Sequence, residues 1–438
     1  MDWLFVLVFS FVCLFLCMLT GMPIALSFLL TCMIGGYLWW GGLSGLAQLA
    51  TGLYSPVASF TLLPVPMFIL MGALIFESGM GTRVVDVLDR LLGKRVPVRL
   101  SVLAVGAGAI LGALIGISGA SASILGKTLL PEMLRRGYRG ETSLGPIVAS
   151  GTLATMIPPS ALGILVGAMS GVSISGVLLG IILPGLLLAG LYLAYLLVRY
   201  RKAPVSAPDE RSDVSFSEKV VVFVRDLLPL ALIMFAVVGT IFIGVATPSE
   251  AAALGVVACL LLAAAYRRLN WKVLWNSLVS TVHITSMVFF IVVGAVCFSR
   301  ILASSGALRG LVDLATSLSL PPMLIVAATL AVVFILGCFM DAASITMVTV
   351  PLFTPLVSAL GVDLLWYAVV YLLVVQLGLI TPPFGLDVYT VKAVAPPEVT
   401  LTEAFRAAMS FLVVGLVVAA LLFAFPRLAL LLPAMAKA

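Results

Sequence analysis

The chain has 438 residues, 63% of them hydrophobic and only 10% charged, with a formal net charge of +6. A mean hydropathy of +1.27 exceeds what any soluble core needs, and apolar runs of about 20 residues, enough to cross a bilayer, recur along its length. Soluble enzymes and nucleic-acid-binding modules are thereby excluded, and the fold class is an all-α polytopic membrane protein.

In chain order, apolar segments fall at 3–19, 22–40 and 60–77, with a Gly-rich, weakly amphipathic stretch at 41–59 suited to the membrane interface. Met1-Asp2-Trp3 enters the first run without a basic leader, so that run reads as a helix and not as a cleaved signal. A basic loop with Arg83, Arg90, Lys94, Arg95 and Arg99 leads into an element at 100–134, interrupted by Gly116-Ile117-Ser118-Gly119-Ala120-Ser121-Ala122-Ser123 and ending in Arg135, Arg136 and Arg139. Segment 142–171 is broken at Pro158-Pro159, and 174–198 reads as one clean helix. The stretch 199–226 is the one linker, basic and Pro-containing, with an interfacial helix expected from Phe216. Beyond it lie segments near 227–245, 248–266 and 275–299, an element at 321–360, a segment at 363–395 broken at Pro382-Pro383, and 401–425. Thr247-Pro248-Ser249-Glu250 has the pattern of a capping box with proline at the first helical position. The six cysteines all sit in apolar runs without a CxxC pair, which predicts packing rather than disulfide or metal chemistry.

The two halves repeat. Pro158-Pro159 and Pro382-Pro383 stand 224 positions apart, and the same offset carries Pro131 onto Pro355 and Gly137 onto Gly361. Ser78-Gly79 with Asp86 resembles Ser305-Gly306 with Asp313, and Pro23 pairs with Pro248. The charges orient the copies. Element 100–134 has basic residues at both ends, which favours the cytoplasm for both, so it should enter and leave on one side as a re-entrant hairpin. Its counterpart 321–360 has almost none and should enter from the opposite face; the C-terminal Arg427 and Lys437 run mildly against this assignment. Each half then has five crossings and one hairpin, and an odd number of crossings inverts the second copy. The expected organisation is a first repeat at 1–198, a cytoplasmic linker at 199–226 and an inverted second repeat at 227–438. That is the plan of secondary transporters, whose sites lie where broken helices meet near the midplane.

Opened backbone inside a bilayer is tolerated only where it is buried in protein or lines a cavity. Four breaks, at 116–123, 151–160, 337–346 and 378–387, would converge if both hairpins point inwards. Ser118, Ser121, Ser123, Thr152 and Ser160 offer hydroxyls from the first half, and Asp341, Ser344, Thr346, Thr381 and Asp387 offer polar groups from the second. Half-helix N-termini suit a solute carboxylate, and unwound carbonyls suit a hard monovalent cation. Any single Ser or Thr here also has packing as an ordinary role. Ionisable residues inside a membrane are costly, which singles out Asp341 and Asp387; each could bind a cation, carry a proton or cap a half-helix. There is no phosphate-binding loop, zinc-ligand cluster or nucleophile–base pair, so gradient-driven transport fits better than catalysis or ATP hydrolysis.

At these motifs the sequence resembles the large membrane subunit of the tripartite ATP-independent periplasmic (TRAP) transporters, from Thr61-Leu62-Leu63-Pro64 through Pro396. The most specific matches are Gly151-Thr152-Leu153 with Ile157-Pro158-Pro159-Ser160, Thr247-Pro248-Ser249-Glu250-Ala251-Ala252-Ala253, and Gly378-Leu379-Ile380-Thr381-Pro382-Pro383 followed by Gly385. The resemblance implies sodium-coupled import of an organic acid, in all expectation a carboxylate, across a bacterial inner membrane. It implies two partners, a periplasmic substrate-binding protein and a small four-helix membrane subunit. It also implies an elevator motion of hairpins and broken helices against a scaffold of the remaining helices. Family sodium sites carry onto Gly116, Ser118, Gly119, Ser121, Thr152, Pro158, Gly337, Asp341, Thr381, Pro382 and Gly385; Ser123, Ser160, Ser344, Thr346 and Asp387 are left as candidates for solute contact. Three positions depart from the family pattern. Ile117 stands where serine is common, Ala73 where an acidic residue is common, and Asp387 where asparagine is frequent. A stand-alone proton- or sodium-coupled carboxylate carrier of related architecture is the alternative, with a channel or membrane-embedded enzyme behind it.

Overall fold

A computed structural model describes residues 2–92, 96–116, 118–200, 215–317 and 320–436. Lys94, Arg95, Ile117, Lys437 and most of the linker, 201–214, lie outside the described residues. Among the described residues every regular element is helical.

The first half begins with α1 (Trp3–Leu19), α2 (Ile24–Trp39) and the short α3 (Leu43–Gly52) and α4 (Tyr54–Val57). Then come α5 (Pro64–Glu77) and the connecting α6 (Met80–Leu91). A hairpin is formed by α7 (Arg99–Ile115), α8 (Ser118–Thr128) and α9 (Leu130–Arg135). A broken helix follows as α10 (Leu144–Met156) and α11 (Ala161–Ser170), and one span closes the half as α12 (Ile174–Gly180) and α13 (Ile182–Arg199). The second half has α14 (Phe216–Val222), α15 (Leu228–Phe242), α16 (Pro248–Ala265), α17 (Trp271–Ser304) and the connecting α18 (Ala307–Ser317). Its hairpin is α19 (Pro322–Gly337) and α20 (Ala342–Ala359), its broken helix α21 (Leu364–Gly378) and α22 (Leu386–Val394). The chain ends on α23 (Leu401–Ala424) and α24 (Arg427–Ala436).

Among the described residues, seven helices are long and apolar enough to span a membrane, or eight if the pair α10–α11, bent by 43°, is one span. One of these, α20, is an arm of the second hairpin; without it, and with the shorter apolar α1, α2 and α21, each half has five apolar spans and one hairpin. The packing respects an exchange of the halves. Helix α2 runs along α17 as α16 runs along α5, and α8 packs on α22 as α20 packs on α11. Each hairpin is therefore wedged against the other half's broken helix.

Small residues let these helices approach closely, which in a membrane replaces the missing hydrophobic drive. A Cβ on Gly112 would lie 2.4 Å from the Cα of Ala154, and one on Gly337 would lie 2.7 Å from the Cα of Gly378. These two contacts occupy matching places in the repeat, each binding a hairpin arm to its own broken helix. The Ser-Gly motifs also match in form: Ser78 and Ser305 end α5 and α17, and Gly79 and Gly306 follow with φ of +70° and +79°. That left-handed conformation is one glycine adopts without a Cβ penalty, and it stops both helices.

Two expected boundaries shift. The helix from Phe216 is not a separate interfacial element but runs through one π-helical turn, Phe223–Leu227, into α15, so the span reaches from Ser217 to Phe242. Val220, Val221 and Val222 carry the apolar run back past Arg225 and Asp226, and Asp226 is paired at 3.3 Å with Arg83 of α6. The helix expected at 174–198 is two pieces joined at Ile181 within one span. The capping box is present: the Thr247 hydroxyl accepts from the Glu250 N–H at 3.3 Å, and the Glu250 carboxylate accepts from the Thr247 N–H at 2.8 Å.

Candidate functional site

The first hairpin is anchored at its entry by Arg99, which pairs with Asp89 at 3.1 Å and donates to the Leu92 carbonyl at 3.2 Å. At its exit Glu132 accepts from Arg136 at 2.6 Å and also pairs with Arg135. The Arg136 hydrogen bond holds the Glu132 carboxyl below its ordinary range.

Between these anchors the chain turns at Gly116, whose φ of +70° and N–H to Gly112 carbonyl bond of 2.7 Å close α7. A Cβ on Gly116 would sit 3.0 Å from the carbonyl of Pro159, so the hairpin tip rests on the Pro158-Pro159 break, where the proline–proline bond is cis. The second half does the same: the Phe384 N–H donates to the Cys338 carbonyl at 3.2 Å, tying the second hairpin tip to its own break, with Pro382-Pro383 cis. Pro158 is buried, whereas Pro382 is exposed.

All four breaks border one cavity of about 320 Å³. Gly116 and Ser118 reach it from the first hairpin, Ala161 from α11, Asp341 and Ala342 from the second hairpin, and Leu386 and Asp387 from α22. Its opposite wall is Val65 and Ile69 of α5 with Ile284 and Val288 of α17. A larger cavity of about 500 Å³, between α4, α11, α17 and α20, lies away from the breaks. The smaller one is the candidate site, because the opened backbone and the buried carboxylate face it.

The polar residues divide by what they touch. The Ser118 hydroxyl donates to Oδ1 of Asp387 at 3.2 Å, joining the first hairpin to the second broken helix. Asp387 is 4% exposed, and its Oδ2 has no hydrogen-bond partner. A Cβ on Gly151 would come within 3.1 Å of that oxygen, so glycine there leaves room for the carboxylate. Asp341 caps α20: Oδ2 accepts from the Ser344 N–H at 3.1 Å and Oδ1 from the Ser344 hydroxyl. Ser160 caps α11 by accepting from the Gly163 N–H at 3.1 Å. Ser121 is fully buried in α8 with an unpartnered hydroxyl. Gly119 faces Thr390 of α22, and Ser123 is half-buried on α8.

Other hydroxyls turn elsewhere. Thr152 donates to the Ala149 carbonyl at 2.7 Å and lies 3.2 Å from the Tyr192 hydroxyl of α13, away from the cavity wall. Thr346 bonds the Ala342 carbonyl at 2.8 Å and receives Tyr371 at 3.4 Å. Thr381 is half-buried and bonds the Leu377 carbonyl at 2.7 Å. Gly337 ends α19 against Gly378, and Gly385, with φ of +49°, precedes α22 while its Cα faces Phe405. Ile117, the departure at the first tip, is outside the described residues.

Two polar residues of the cavity escaped the sequence reading. Thr155 lines it, and so does Gln376, which is 1% exposed with an unpartnered Oε1. Gln376 is the one amide in the apolar α21 and stands at the repeat offset from Thr152, a signal that could have found it.

The sequence and the architecture can be set against known proteins. Residues 11–428 match the family described as the tripartite ATP-independent periplasmic transporter, DctM component. The C4-dicarboxylate TRAP transporter large permease protein DctM of Pseudomonas aeruginosa is 29% identical, over 88% of this chain and 89% of its own. The ectoine large permease protein TeaC of Halomonas elongata is 28% identical over 95% and 96%, and the sialic acid large permease protein SiaM of Vibrio cholerae 28% over 94% and 95%. The crystal structure of the Alcanivorax borkumensis YdaH transporter has the same fold, with a TM-score of 0.61 at 15% identity over 88% of this chain and 89% of that one. With its series of membrane-spanning helices, this is a multi-pass protein of the bacterial inner membrane. The chain belongs to the DctM component family of the tripartite ATP-independent periplasmic transporters, as a large membrane subunit.

Proposed function

We propose that this subunit imports an organic acid, a carboxylate, by sodium-coupled secondary transport through an elevator motion. A periplasmic substrate-binding protein delivers the solute, and a small four-helix membrane subunit completes the complex. The supporting observation is the meeting of four repeat-matched backbone breaks at one cavity with a buried, half-satisfied carboxylate. Opened helix ends of this kind are where secondary transporters hold ions and solutes. Sodium would be held by hydroxyls and carbonyls at the hairpin tips and breaks. Ser121 is the best-placed side chain, since its buried oxygen has no other partner. Thr152, whose hydroxyl is taken by Ala149 and Tyr192, would serve through its backbone or by positioning α10.

The elevator reading draws on which helices share contacts. Both hairpins and both broken helices interlock, α23 packs principally on them, and α13 packs on α23 and on α7 and α10. Gly185 of α13 lies against the Met156 carbonyl and Gly415 of α23 against Leu377, so each broken helix has a close companion. These companions belong with the moving body, leaving α1–α6 and α14–α18 as the scaffold, and the cavity lies along the boundary. Reconstitution tests the assembly: uptake into proteoliposomes should require the soluble binding protein. Uptake without it, driven by a pH gradient alone, would instead establish a stand-alone carrier.

A further inference from the structure

The cavity at the four breaks has an unusual balance of charge. Two carboxylates, Asp341 and Asp387, face it, and no Lys, Arg or His is among its lining residues. Asp341 is spent on its own helix, with both oxygens accepting from Ser344. Asp387 is not: Oδ1 takes one hydroxyl, Oδ2 takes nothing, and no ion pair reaches it among the described residues. On the same cavity lining Gln376 presents a buried Oε1, also without a donor. A carboxylate keeps its charge in a desolvated site when a positive partner joins it, and otherwise takes up a proton.

The same cavity also offers the opposite sign. The first residues of α8, α11, α20 and α22 line it, so four helix N-termini converge there. The ends of α20 and α22 each have an aspartate on them, Asp341 as the cap and Asp387 in the first turn. That of α8 already faces the Asp387 carboxylate through the Ser118 hydroxyl, whereas that of α11 has no acidic residue in the first turn and keeps its positive field. One side of the cavity therefore favours an anion and the other a hydrogen-bond-donating cation.

We propose that the solute is a zwitterion: its carboxylate is received at the α11 N-terminus, and its cationic group is held by Asp387, with Gln376 as a further acceptor on the same cavity lining. This rests on the transport function proposed above and narrows its substrate class from organic acids in general to those bearing an ammonium or amidinium group. A dianion would meet two carboxylates and no base. Asp387 is thus a specificity residue, and the departure from the family's frequent asparagine has a chemical consequence.

The test uses two probes of similar length that differ at one end, 4-aminobutyrate and succinate, with the full chain in nanodiscs in sodium buffer. Thermal stabilisation is titrated for each. The zwitterion should bind with a preference of about tenfold to a hundredfold, the range of a charge-assisted pair in a desolvated site. Asp387→Asn, isosteric and neutral, should erase that preference, and Gln376→Leu should reduce it. Equal or tighter binding of succinate by the unaltered protein overturns the proposal without any variant. So does stabilisation by sodium with none by 4-aminobutyrate. If Asp387→Asn abolishes sodium stabilisation and leaves the probe preference intact, Asp387 is an ion ligand and the proposal falls. Absence of sodium stabilisation in the unaltered protein, with the zwitterion preference present, would count against sodium coupling and leave the substrate class standing.

Discussion

Gly112→Ala is the substitution that most sharply probes how the first hairpin is held. Its added methyl would lie 2.4 Å from the Cα and 2.8 Å from the N of Ala154. Both are main-chain atoms of α10, so no side chain can rotate aside, and α7 and α10 must separate by about 1 Å to regain ordinary van der Waals contact of about 3.5 Å. Overpacking of this kind costs about 1–3 kcal/mol, while replacing a helical glycine with alanine recovers about 1 kcal/mol. Gly106→Ala in the same helix supplies the control, because a Cβ there meets nothing within 4 Å. The propensity gain is common to both variants, so their difference isolates the packing cost of about 1–3 kcal/mol. Thermal unfolding in detergent should place Gly112→Ala below the unaltered protein or level with it, and Gly106→Ala at or above it. Uptake should fall in the first and persist in the second, since Gly116 and Ser118 at the hairpin tip move with α7. Equal stability and equal uptake in the two variants would refute the claim that backbone contact sets the tip's position.

Two further outcomes follow from the polar groups. Ser121→Ala should weaken the sodium dependence of uptake more than it lowers protein abundance, and Thr381→Ala likewise; Thr152→Ala should act together with Tyr192→Phe, because both remove one hydroxyl pair. Unchanged sodium affinity in all of them, read from uptake against sodium concentration, would remove the proposed ion sites. At the hairpin exit, the folded-state pKa of Glu132 lies below its ordinary value, so its ion pairs stabilise the protein above the ordinary carboxylate range and cease to as pH falls through the lowered pKa. Glu132→Gln should therefore lower the melting temperature at neutral pH and make no difference in acid; a deficit that persists in acid would show that the effect is not electrostatic.

The architecture was legible because the membrane forces it into the sequence. Backbone cannot open in a bilayer without local compensation, so the Gly-Ser and Pro-Pro interruptions had to mark hairpin tips and helix breaks. The repeat then gave each a counterpart, and Thr247 announced a helix start through ordinary capping chemistry, as Asp341 did in one of its three readings. What sequence could not supply is which way a buried hydroxyl turns. Thr152 sits in the most specific motif, yet its hydroxyl meets Tyr192, some forty residues on in sequence. Ser118 meets Asp387 across the whole repeat. Gln376 was hidden because one amide in a long apolar run carries no local pattern; its repeat offset from Thr152 marks the position, and the tertiary fold places it on the cavity. The π-helical turn joining α14 to α15 was missed for a related reason: Arg225 and Asp226 look like a boundary, yet the helix continues through them, with Asp226 paired to Arg83.

We propose that the four breaks form a sodium-coupled solute site. Its most direct measurement is solute accumulation in proteoliposomes containing the complete complex and loaded binding protein, under an inward sodium gradient and then with potassium replacing sodium. Coupling at these breaks predicts concentrative uptake with sodium and collapse to the passive level with potassium. Undiminished accumulation in potassium would contradict it.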